Sequence, residues 1–554
     1  MTDSLSLALA QLNPVVGDID GNVARIRAAR AEAAAQGADL VVGTELCVSG
    51  YPPEDLILKD AFLVACRLAV EALAADTADG GPALIVGAPW LEDDGRRYNA
   101  ALLLDGGSIV TRRNKWDLPN YGVFDEKRVF DAGELPGPVN CRGVRLGLAI
   151  CEDMWTPDVA ETLMESGAEI LVIINGSPYE RDKVDVRMNH AVARVGETGL
   201  PLLYVNQVGG QDELVFDGGS FVLNADCRLA AALPQFADAV ALTHWTRDGN
   251  GWACTEGPMT PWVEGLERIY QAMVLGLRDY VNKNGFPGVV LGLSGGIDSG
   301  LTAVVAVDAL GPERVHCVMM PSPYTSQDSL DDAADGARRL GVRLDNVSIG
   351  PAMAAYDEML SGPFGEKPKA VTAENIQSRT RGVLLMAISN TTGAMLVTTG
   401  NKSEMSVGYA TIYGDMAGGY SVLKDVYKID VFRLSEWRNT HHPAGALGPA
   451  GEVVPPRVIT KPPSAELRPD QKDEDSLPPY AVLDDILHGL IEEDLGADDI
   501  VARGHDPATV QRIWRLLELS EYKRRQAPPG VKLTSRAFGR DRRYPITNGF
   551  RGKV

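Results

Sequence analysis

The segment VVLGLSGGIDSGLTAVVAV constrains the fold of this chain more than any other segment. An apolar run ends at Gly292, a glycine- and serine-rich stretch follows, and a second apolar run from Ser299 to Leu310 has the length of a helix. A strand that turns tightly into a helix is the building unit of a doubly wound parallel sheet. We expect strands at Val315–Met320 and Met395–Thr399 to continue this sheet. The sequence therefore predicts an α/β fold.

The same turn indicates a ligand that carries phosphate. Glycines let backbone N–H groups approach an anion, and the N-terminus of a helix favours negative charge. Asp298 lies inside the turn, where a carboxylate would repel phosphate unless a divalent cation lay between them. The turn lacks both the Gly-Lys-Ser/Thr ending of a Walker A loop and the G-x-G-x-x-G spacing of a dinucleotide fold. The pattern thus favours a different class of phosphate loop that works with Mg²⁺.

The length of 554 residues indicates more than one domain. Runs such as Leu5–Leu12 and Arg145–Ile150 predict strands, and Ala-rich stretches such as Asn22–Gln36 predict helices, which together suggest a large mixed sheet with helices outside. Near residue 245 this pattern gives way to a connector with glycine and tryptophan. The predicted order is a first domain at 1–250, a linker at 251–262 and a second domain at 263–554.

Residues 441–480 contain nine prolines. So many prolines exclude a regular helix or a central strand. The segment is predicted to be either a surface insertion in the second domain or a mobile lid, and the sequence favours neither reading.

Charge and cysteine content exclude several classes of function. Lys plus Arg is 53 and Asp plus Glu is 75, so the formal charge of −22 argues against nucleic-acid binding but not against a small anionic ligand. Seven cysteines without a C-x-x-C pair argue against a disulfide framework and a zinc site. The N-terminus has no secretory pattern, and no apolar run is long enough for a membrane span. We expect a cytoplasmic protein without nucleic-acid or membrane partners.

Three polar residues of the first domain follow predicted strands. Cys151 ends the strand in VRLGLAICEDMW, Glu45 follows one in VVGTELCVSGY, and Lys115 follows one that ends near Thr111. A thiol at a strand end, a buried carboxylate as general base and a lysine that stabilises an oxyanion form a coherent set for attack on a carboxamide. Each residue alone has an ordinary structural explanation, so the set carries the argument.

The segments TELCVSGYPPEDL, NKWDLPNYGVFDEKRVF and LAICEDMWTPD resemble the three signature segments of the nitrilase superfamily, in order and spacing. The resemblance implies an αββα sandwich with Cys151 as nucleophile, Glu45 as base and Lys115 at the oxyanion.

The segment INGSPYERDKVDVR resembles the region that closes the site in glutamine-hydrolysing members of that superfamily. The similarity implies that the glutamine ligands are Tyr121, Ser177 and Lys183. Arg187 is an equally good partner for the α-carboxylate, so that choice stays open.

SGGIDS resembles the pyrophosphate loop of the ATP pyrophosphatases, and the segments VTAENIQSRTRG, TTGNKSEMSVGYATIYGDMAGGYSVLKDVYKIDVF and SEYKRRQAPPG resemble the NAD⁺ synthetases. The similarity implies that the ATP-binding residues are Gly292, Leu293, Ser294, Gly295, Gly296, Ile297, Asp298, Ser299, Thr399 and Lys428. It implies that deamido-NAD⁺ is bound by Asn375, Arg379, Glu404 and Lys523, with Arg381 as a further candidate. Asp298 and Glu404 would share Mg²⁺, and Lys424 is a candidate partner of pyrophosphate.

Taken together, the two halves resemble the glutamine-dependent NAD⁺ synthetases. The resemblance implies a two-site ligase in which glutamine is hydrolysed in the first domain and ammonia passes along a dry internal route to the second. There deamido-NAD⁺ is adenylated by ATP and amidated to NAD⁺, without a tightly bound organic cofactor. It also implies a homo-oligomer formed through the second domain.

Two alternatives remain open from the sequence. One is an adenylating amidotransferase that acts on a different carboxylate. The other is an ammonia-dependent synthetase whose first domain is a non-catalytic assembly module.

Overall fold

The computed structural model describes residues 3–181, 183–249, 251–364, 370–469 and 471–550. The chain forms two compact units, Met1–Glu264 and Gly265–Val554. The division therefore follows Glu264, and the predicted linker at 251–262 lies within the first unit.

The first unit contains two β-sheets and four flanking helices among its described residues. Its strands are β1 (Ser4–Gln11), β2 (Leu40–Val42), β3 (Ala83–Leu91), β4 (Arg97–Asp105), β5 (Ser108–Asn114), β6 (Val139–Cys141), β7 (Val144–Ile150), β8 (Ile170–Asn175), β9 (Leu202–Asn206), β10 (Val208–Gln211), β11 (Leu214–Asp217), β12 (Phe221–Leu223), β13 (Leu229–Ala232), β14 (Ala239–Asp248) and β15 (Gly251–Glu256). Its helices are α1 (Ile19–Ala35), α2 (Asp60–Asp76), α3 (Pro157–Glu165) and α4 (Lys183–Thr198). One sheet has the order β15-β14-β1-β2-β3-β4-β5 and the other the order β13-β12-β9-β8-β7-β6, while β10 and β11 form a separate hairpin.

The two sheets pack face to face, and helices cover their outer faces. In β1 the side chains alternate: Leu7 and its neighbours on that face join a core shared with Leu148 and Val172 of the second sheet. Ala8, on the opposite face, packs against residues of α1 and α2 such as Ile26. Helices α3 and α4 cover the second sheet in the same way. This arrangement is the predicted αββα sandwich.

The connector predicted near residue 245 is instead an antiparallel hairpin. Strand β15 pairs with β14, and Trp245 lies opposite Cys254 in the register. Trp245 and Trp252 are buried in the core between the sheets. Glycine and tryptophan in this stretch therefore serve a turn and the core of the first unit rather than a linker.

The second unit has a parallel sheet surrounded by helices. Its strands are β16 (Val289–Gly292), β17 (Val315–Met319), β18 (Arg343–Asn346), β19 (Met395–Thr398) and β20 (Tyr420–Ser421). Its helices are α5 (Gly265–Lys283), α6 (Ile297–Leu310), α7 (Gln327–Leu340), α8 (Gly350–Phe364), α9 (Ala370–Thr392), α10 (Lys402–Val407), α11 (Lys428–Thr440), α12 (Pro456–Thr460), α13 (Tyr480–Ile491), α14 (Ala497–Ala502), α15 (Pro507–Leu519) and α16 (Glu521–Arg524). The strand order is β18-β17-β16-β19-β20, so the order reverses beside β16. The loop after β16 lies at this switch point, where such sheets bind ligands.

The proline-rich segment at 441–480 has little regular structure. It contains the short helix α12 and a 3₁₀ turn at Asp473–Asp475, and residue 470 lies outside the described residues. None of the helices in the described parts of the chain is long and apolar enough to cross a membrane.

Candidate functional sites of the two units

Cys151 lies directly after β7 and begins a 3₁₀ turn at Cys151–Met154. Its φ of 47° is in the left-handed region, which a residue other than glycine adopts only where its surroundings impose it. The side chain is buried, with 3% of its surface exposed. The turn therefore places a single thiol at the carboxyl end of the strand and holds it there.

Lys115 lies between two buried carboxylates beside this thiol. Its Nζ is 2.7 Å from Glu45 Oε1 and 2.9 Å from Glu126 Oε2. Glu45 also accepts hydrogen bonds from Asn99 Nδ2 at 2.7 Å and from the Gly176 N–H at 2.8 Å. Glu45, Lys115 and Gly176 follow β2, β5 and β8, whereas Asn99 lies within β4. The two sheets thus bring together residues as far apart in sequence as Glu45 and Gly176.

The charges of this cluster set the protonation of its members. Burial would lower the pKa of Lys115, but the carboxylates of Glu126 and Glu45 outweigh burial and raise that pKa well above its usual range. Burial, and then the charge of Glu45, raise the pKa of the Cys151 thiol well above its usual range, although Lys115 opposes the shift. The resting site therefore holds a neutral thiol beside a permanent ammonium, so the thiol needs a base before it can attack.

Polar and aromatic groups surround the approach to this cluster. The Tyr121 hydroxyl donates to Glu152 Oε1 at 2.9 Å, and burial raises the pKa of Glu152. The Lys183 ammonium lies 5.2 Å from the centre of the Phe124 ring and 5.7 Å from that of Trp155. A carboxylate and an ammonium on this approach are of the right charges to pair with the two charged ends of an amino acid.

Arg187, the alternative to Lys183, is buried and occupied by partners within the protein. Its guanidinium donates to Asp217 Oδ1 at 2.7 Å, to Ser177 Oγ at 3.1 Å and to the carbonyl oxygens of Ser177 and Pro178. These bonds fix Ser177 in the loop after β8. The geometry therefore gives Arg187 a supporting position beside Ser177.

In the second unit, the loop after β16 turns tightly around Gly295. This residue has a φ of 78°, and a Cβ atom there would lie 2.3 Å from the Ser329 carbonyl oxygen. Only glycine fits such a position. Ser294 and Ser299 brace the turn, with 3.0 Å between their Oγ atoms, and the Ser299 hydroxyl donates to the Gly296 carbonyl oxygen at 3.0 Å.

Lys428 bridges the two carboxylates that were predicted to hold a metal. Its buried Nζ binds Asp298 Oδ2 and lies 3.1 Å from Glu404 Oε1. Asn401, the N-cap residue of α10, donates from Nδ2 to Asp298 Oδ1 at 2.8 Å and accepts from the Glu404 N–H at 3.0 Å. Burial is the main cause that raises the pKa of Glu404 to about 7.

These residues line a cavity of about 630 Å³. The predicted ligand residues on its wall are Gly292, Leu293, Ser294, Gly296, Ile297, Asp298, Ser299, Asn375, Thr399, Glu404, Lys428 and Lys523. Gly295 belongs to the same loop but does not line the cavity. The cavity thus brings together residues from across the sheet and from the C-terminal helices.

Three basic residues with predicted ligand roles occupy different positions. Arg381 lines the cavity and donates from Nε to the Met320 carbonyl oxygen at 3.0 Å. Arg379 and Lys424 do not line it: Arg379 donates to the carbonyl oxygen of Ile412 at 3.2 Å and Lys424 to that of Pro528 at 2.9 Å. The structure therefore places Arg381, rather than Arg379, among groups that can face a ligand in this unit.

The proline-rich segment forms part of the cavity wall. We call residues 461–473, apart from residue 470, the strap, because Lys461 through Leu467, Gln471 and Asp473 line the cavity. Glu466 accepts from Ser326 Oγ at 2.7 Å and from Ser329 Oγ at 2.9 Å at the start of α7. The Leu467 carbonyl accepts from Gln377 Nε2 at 2.9 Å. The strap is therefore packed against the site, and its role as a mobile lid stays a prediction.

Comparison with known proteins finds a match for each of the two units. A carbon-nitrogen hydrolase family model matches residues 6–249, and an NAD synthase family model matches residues 269–527. The glutamine-dependent NAD(+) synthetase of Rhodobacter capsulatus is 54% identical over 551 residues, which covers 100% of both chains. The chain belongs to the family of glutamine-dependent NAD⁺ synthetases. The resemblance inferred from the motifs and the predicted fold class are both confirmed.

Two further relatives support this assignment. The glutamine-dependent NAD(+) synthetase of Acinetobacter baylyi is 44% identical and covers 99% of each chain. The structure of a glutamine-dependent NAD⁺ synthetase from Acinetobacter baumannii in complex with adenosine diphosphate has a TM-score of 0.78 and 43% identity, with 100% of both chains covered.

Sequence reasoning missed three carboxylates of these synthetase sites. Glu126 lies in the run DEKR, Glu152 follows Cys151, and Asp473 ends the strap and begins a run of three acidic residues. Asp473 accepts from the hydroxyls of Tyr480 at 2.9 Å and Tyr409 at 3.3 Å, and burial raises its pKa. The position of Glu152 beside Cys151 was the one available signal.

The carboxylates beside the phosphate loop are suitable ligands for Mg²⁺, but they are too few to hold the ion by themselves. Mg²⁺ is usually held by one or two carboxylates together with substrate phosphates, and Asp298 and Glu404 supply two beside the phosphate loop. Within the described residues, no group of three His, Cys, Asp or Glu side chains is arranged to hold a metal by itself. A metal bound here would therefore depend on phosphate oxygens from the nucleotide.

Proposed function

We propose that this chain makes NAD⁺ from deamido-NAD⁺, ATP, L-glutamine and water, releasing AMP, pyrophosphate and L-glutamate. The observation that carries this proposal is the presence of two complete sites in one chain. One is a buried cysteine, lysine and glutamate cluster, and the other is a phosphate loop with two carboxylates bridged by Lys428. The family assignment indicates that the two sites take part in one overall reaction.

In the first unit, Glu45 takes the proton of the Cys151 thiol, and the sulfur attacks the carboxamide carbon of glutamine. Lys115 stays cationic because two carboxylates raise its pKa, and it stabilises the oxyanion of the tetrahedral intermediate. Ammonia leaves with a proton returned by Glu45, and the thioester on Cys151 is then hydrolysed by water that Glu45 activates. Glu126 holds the Lys115 ammonium from its other side.

Glutamine itself is bound by its charged ends in this proposal. Glu152, held by Tyr121, pairs with the α-ammonium group, and Lys183 pairs with the α-carboxylate. Arg187 serves by fixing Ser177, because its own hydrogen bonds already go to protein groups.

In the second unit, the loop after β16 binds the phosphates of ATP through backbone N–H groups, and Thr399 lies at the end of the neighbouring strand. When bound by Asp298 and Glu404, Mg²⁺ would supply positive charge that offsets the triphosphate during displacement at the α-phosphorus. Lys428 neutralises the departing pyrophosphate, and Asn375, Arg381 and Lys523 face the dinucleotide. The carboxylate of deamido-NAD⁺ attacks the α-phosphorus as pyrophosphate leaves, and ammonia then displaces AMP from the resulting acyl adenylate. Arg379 as a ligand, a dry route for ammonia and a cytoplasmic location stay predictions.

The direct test is a product assay on the purified chain. With deamido-NAD⁺, ATP, Mg²⁺ and either glutamine or ammonia, we expect NAD⁺, AMP and pyrophosphate in equal amounts, measured by chromatography. Formation of AMP with another carboxylate but none with deamido-NAD⁺ would contradict the proposed substrate and support the alternative amidotransferase.

We also propose that the chain works as a homo-oligomer through its second unit. A groove of about 540 Å³ beside α9 is lined mainly by uncharged residues, among them Val383, Met386 and Tyr413. Val383 is 64% exposed and Tyr413 is 69% exposed, which is unusual for an apolar surface in contact with water. The groove shares Gly382 and Ala417 with the wall of the ligand cavity. A second copy bound in the groove would therefore also stabilise the wall of the cavity.

Sedimentation of the native chain tests this interface. We expect a mass of at least two chains, and Val383→Asp together with Met386→Asp should reduce it to one chain because buried unpaired carboxylates oppose association. The exposed Val64→Asp, on α2 of the first unit, is the matched control. A native chain that sediments as a monomer at micromolar concentration would contradict the proposal.

A further inference from the structure

Asp153 is a buried carboxylate that the proposed mechanism does not use. It lies in the 3₁₀ turn that begins with the nucleophile, two residues after Cys151, and 2% of its surface is exposed. A buried carboxylate is unfavourable unless hydrogen bonds satisfy its oxygens. Its partners therefore indicate what the residue is for.

Both oxygens of Asp153 accept hydrogen bonds from backbone N–H groups. Oδ2 accepts from Ile150, the residue before the nucleophile, at 3.0 Å. Oδ1 accepts from Trp116 at 3.0 Å and from Asp117 at 2.8 Å, the two residues that follow Lys115. One side chain thus ties the backbone beside the nucleophile to the backbone beside the oxyanion lysine.

The bond to Ile150 has a local explanation, because a carboxylate at the third position of a helical turn commonly accepts from the residue that precedes the turn. The bonds to Trp116 and Asp117 have no such explanation, since they join segments 36 and 37 residues apart in sequence. A second link joins the same segments, where the Thr156 hydroxyl donates to Asp117 Oδ2 at 3.2 Å.

The backbone hydrogen bonds of Lys115 itself do not connect it to the segment that contains Cys151. Its own backbone N–H donates to the Asn99 carbonyl at 2.8 Å, and its carbonyl accepts from the Gly133 N–H at 2.7 Å. These bonds fix Lys115 relative to β4 of the first sheet and to the loop that contains Gly133. Cys151 follows β7 of the second sheet, so Asp153, together with the bond from Thr156 to Asp117, ties the two catalytic segments across the sandwich.

We propose that Asp153 is a positioning residue for glutamine hydrolysis, which sets the distance between the Cys151 thiol and the Lys115 ammonium by binding the backbone of both segments. This inference rests on the proposed function of the first unit. Asp153 itself touches neither glutamine nor the reacting atoms in this mechanism. Its effect on the reaction passes through the two residues whose backbone it holds.

The test compares Asp153→Asn and Asp153→Ala with the native chain. The amide of the Asn variant keeps one acceptor oxygen, so it can hold one segment but not both, whereas Ala holds neither. We expect glutamine hydrolysis to fall about 10-fold for Asn and at least about 100-fold for Ala, since a displacement near 1 Å has effects of that size. NAD⁺ formation with ammonia should stay within about twofold of the native rate, because Asp153 lies in the other unit.

A second readout separates positioning from stability. The rate at which iodoacetamide alkylates Cys151, followed by mass spectrometry of its peptide, should fall in the order Asp, Asn, Ala, because the thiolate loses the nearby ammonium. A loss of stability alone would leave this rate unchanged or increase it. Thr243→Val is the control, since it removes buried hydrogen bonds to Leu7 and Trp245 on β1 and β14 and should lower the melting temperature without slowing alkylation.

Either of two results would overturn the proposal. One is a native alkylation rate and native glutamine hydrolysis in both Asp153 variants, with only a lower melting temperature. The other is equal losses in Thr243→Val. If the native chain hydrolysed no glutamine, the proposed function would fail instead, and the alkylation rates would still test whether Asp153 positions the thiol.

Discussion

Replacement of Cys151 by Ala is expected to abolish NAD⁺ formation from glutamine and to leave formation from ammonia intact. No other group at the site can form the thioester, so the loss with glutamine should be at least about 10³-fold, or about 4 kcal/mol of transition-state stabilisation. The substitution removes one buried sulfur from the first unit and leaves the cavity of the second unchanged. The measurement is NAD⁺ formation with each nitrogen donor at saturating ATP and deamido-NAD⁺.

Cys66→Ala is the matched control for this experiment. Cys66 is equally buried but packs in α2 against the outer face of the first sheet, away from the cluster of Glu45 and Lys115. Its replacement should lower stability slightly and should leave NAD⁺ formation unchanged with either nitrogen donor. Equal rates with glutamine in Cys151→Ala and the native chain would refute the proposed nucleophile, and they would support the alternative in which the first domain is a non-catalytic module.

The sequence predicts strands and helices correctly where the hydrophobic pattern and the turn residues indicate the same element. The predicted strand at Arg145–Ile150 is β7, and the predicted helix at Ser299–Leu310 begins two residues earlier as α6. The prediction failed at residues 245–256, because glycine and tryptophan fit both a connector and a short hairpin. Only the burial of Trp245 and Trp252 between two sheets distinguishes the two, and burial depends on the partner sheet.

In the candidate sites too, the sequence motifs predict some residues, and others can be recognised only from the three-dimensional structure. The order and spacing of the motifs pointed to Glu45, Lys115 and Cys151, and the structure places them together. Glu126 was not recognisable, because a glutamate in a charged run is normally solvated, and only the fold turns it inward to Lys115.

The strap shows the same limit. The proline pattern excluded a regular helix, and the short helix α12 at Pro456–Thr460 is an exception, because Pro456 occupies its first turn, where no backbone N–H is needed. The pattern contained no information about the surface against which the segment packs. The bonds of Glu466 to Ser326 and Ser329 supply that information.

Replacement of Asp298 by Asn should abolish NAD⁺ formation with either nitrogen donor while glutamine hydrolysis continues. The amide oxygen keeps the hydrogen bond from Asn401, so the loop keeps its shape, but the charge that faces Lys428 and the phosphate loop is lost. We expect a loss of at least about 10³-fold with both donors, or about 4 kcal/mol. Asp335→Asn, on the exposed side of α7, is the control and should be neutral, because exposed ion pairs contribute little.

Binding of ATP without turnover makes this experiment specific to the proposed charge arrangement. Without Mg²⁺, the Asp298 carboxylate repels the triphosphate, so Asp298→Asn should bind ATP more tightly than the native chain. With Mg²⁺, the order should reverse, because the cation needs the carboxylate to link the protein to the phosphates. Equilibrium dialysis at both conditions measures the two dissociation constants. If Mg²⁺ strengthened ATP binding equally in both proteins, Asp298 would not be a metal ligand, and the acidic residue in the loop would need a different explanation. The reversal of sign depends on charge alone, so a general loss of folding cannot produce it.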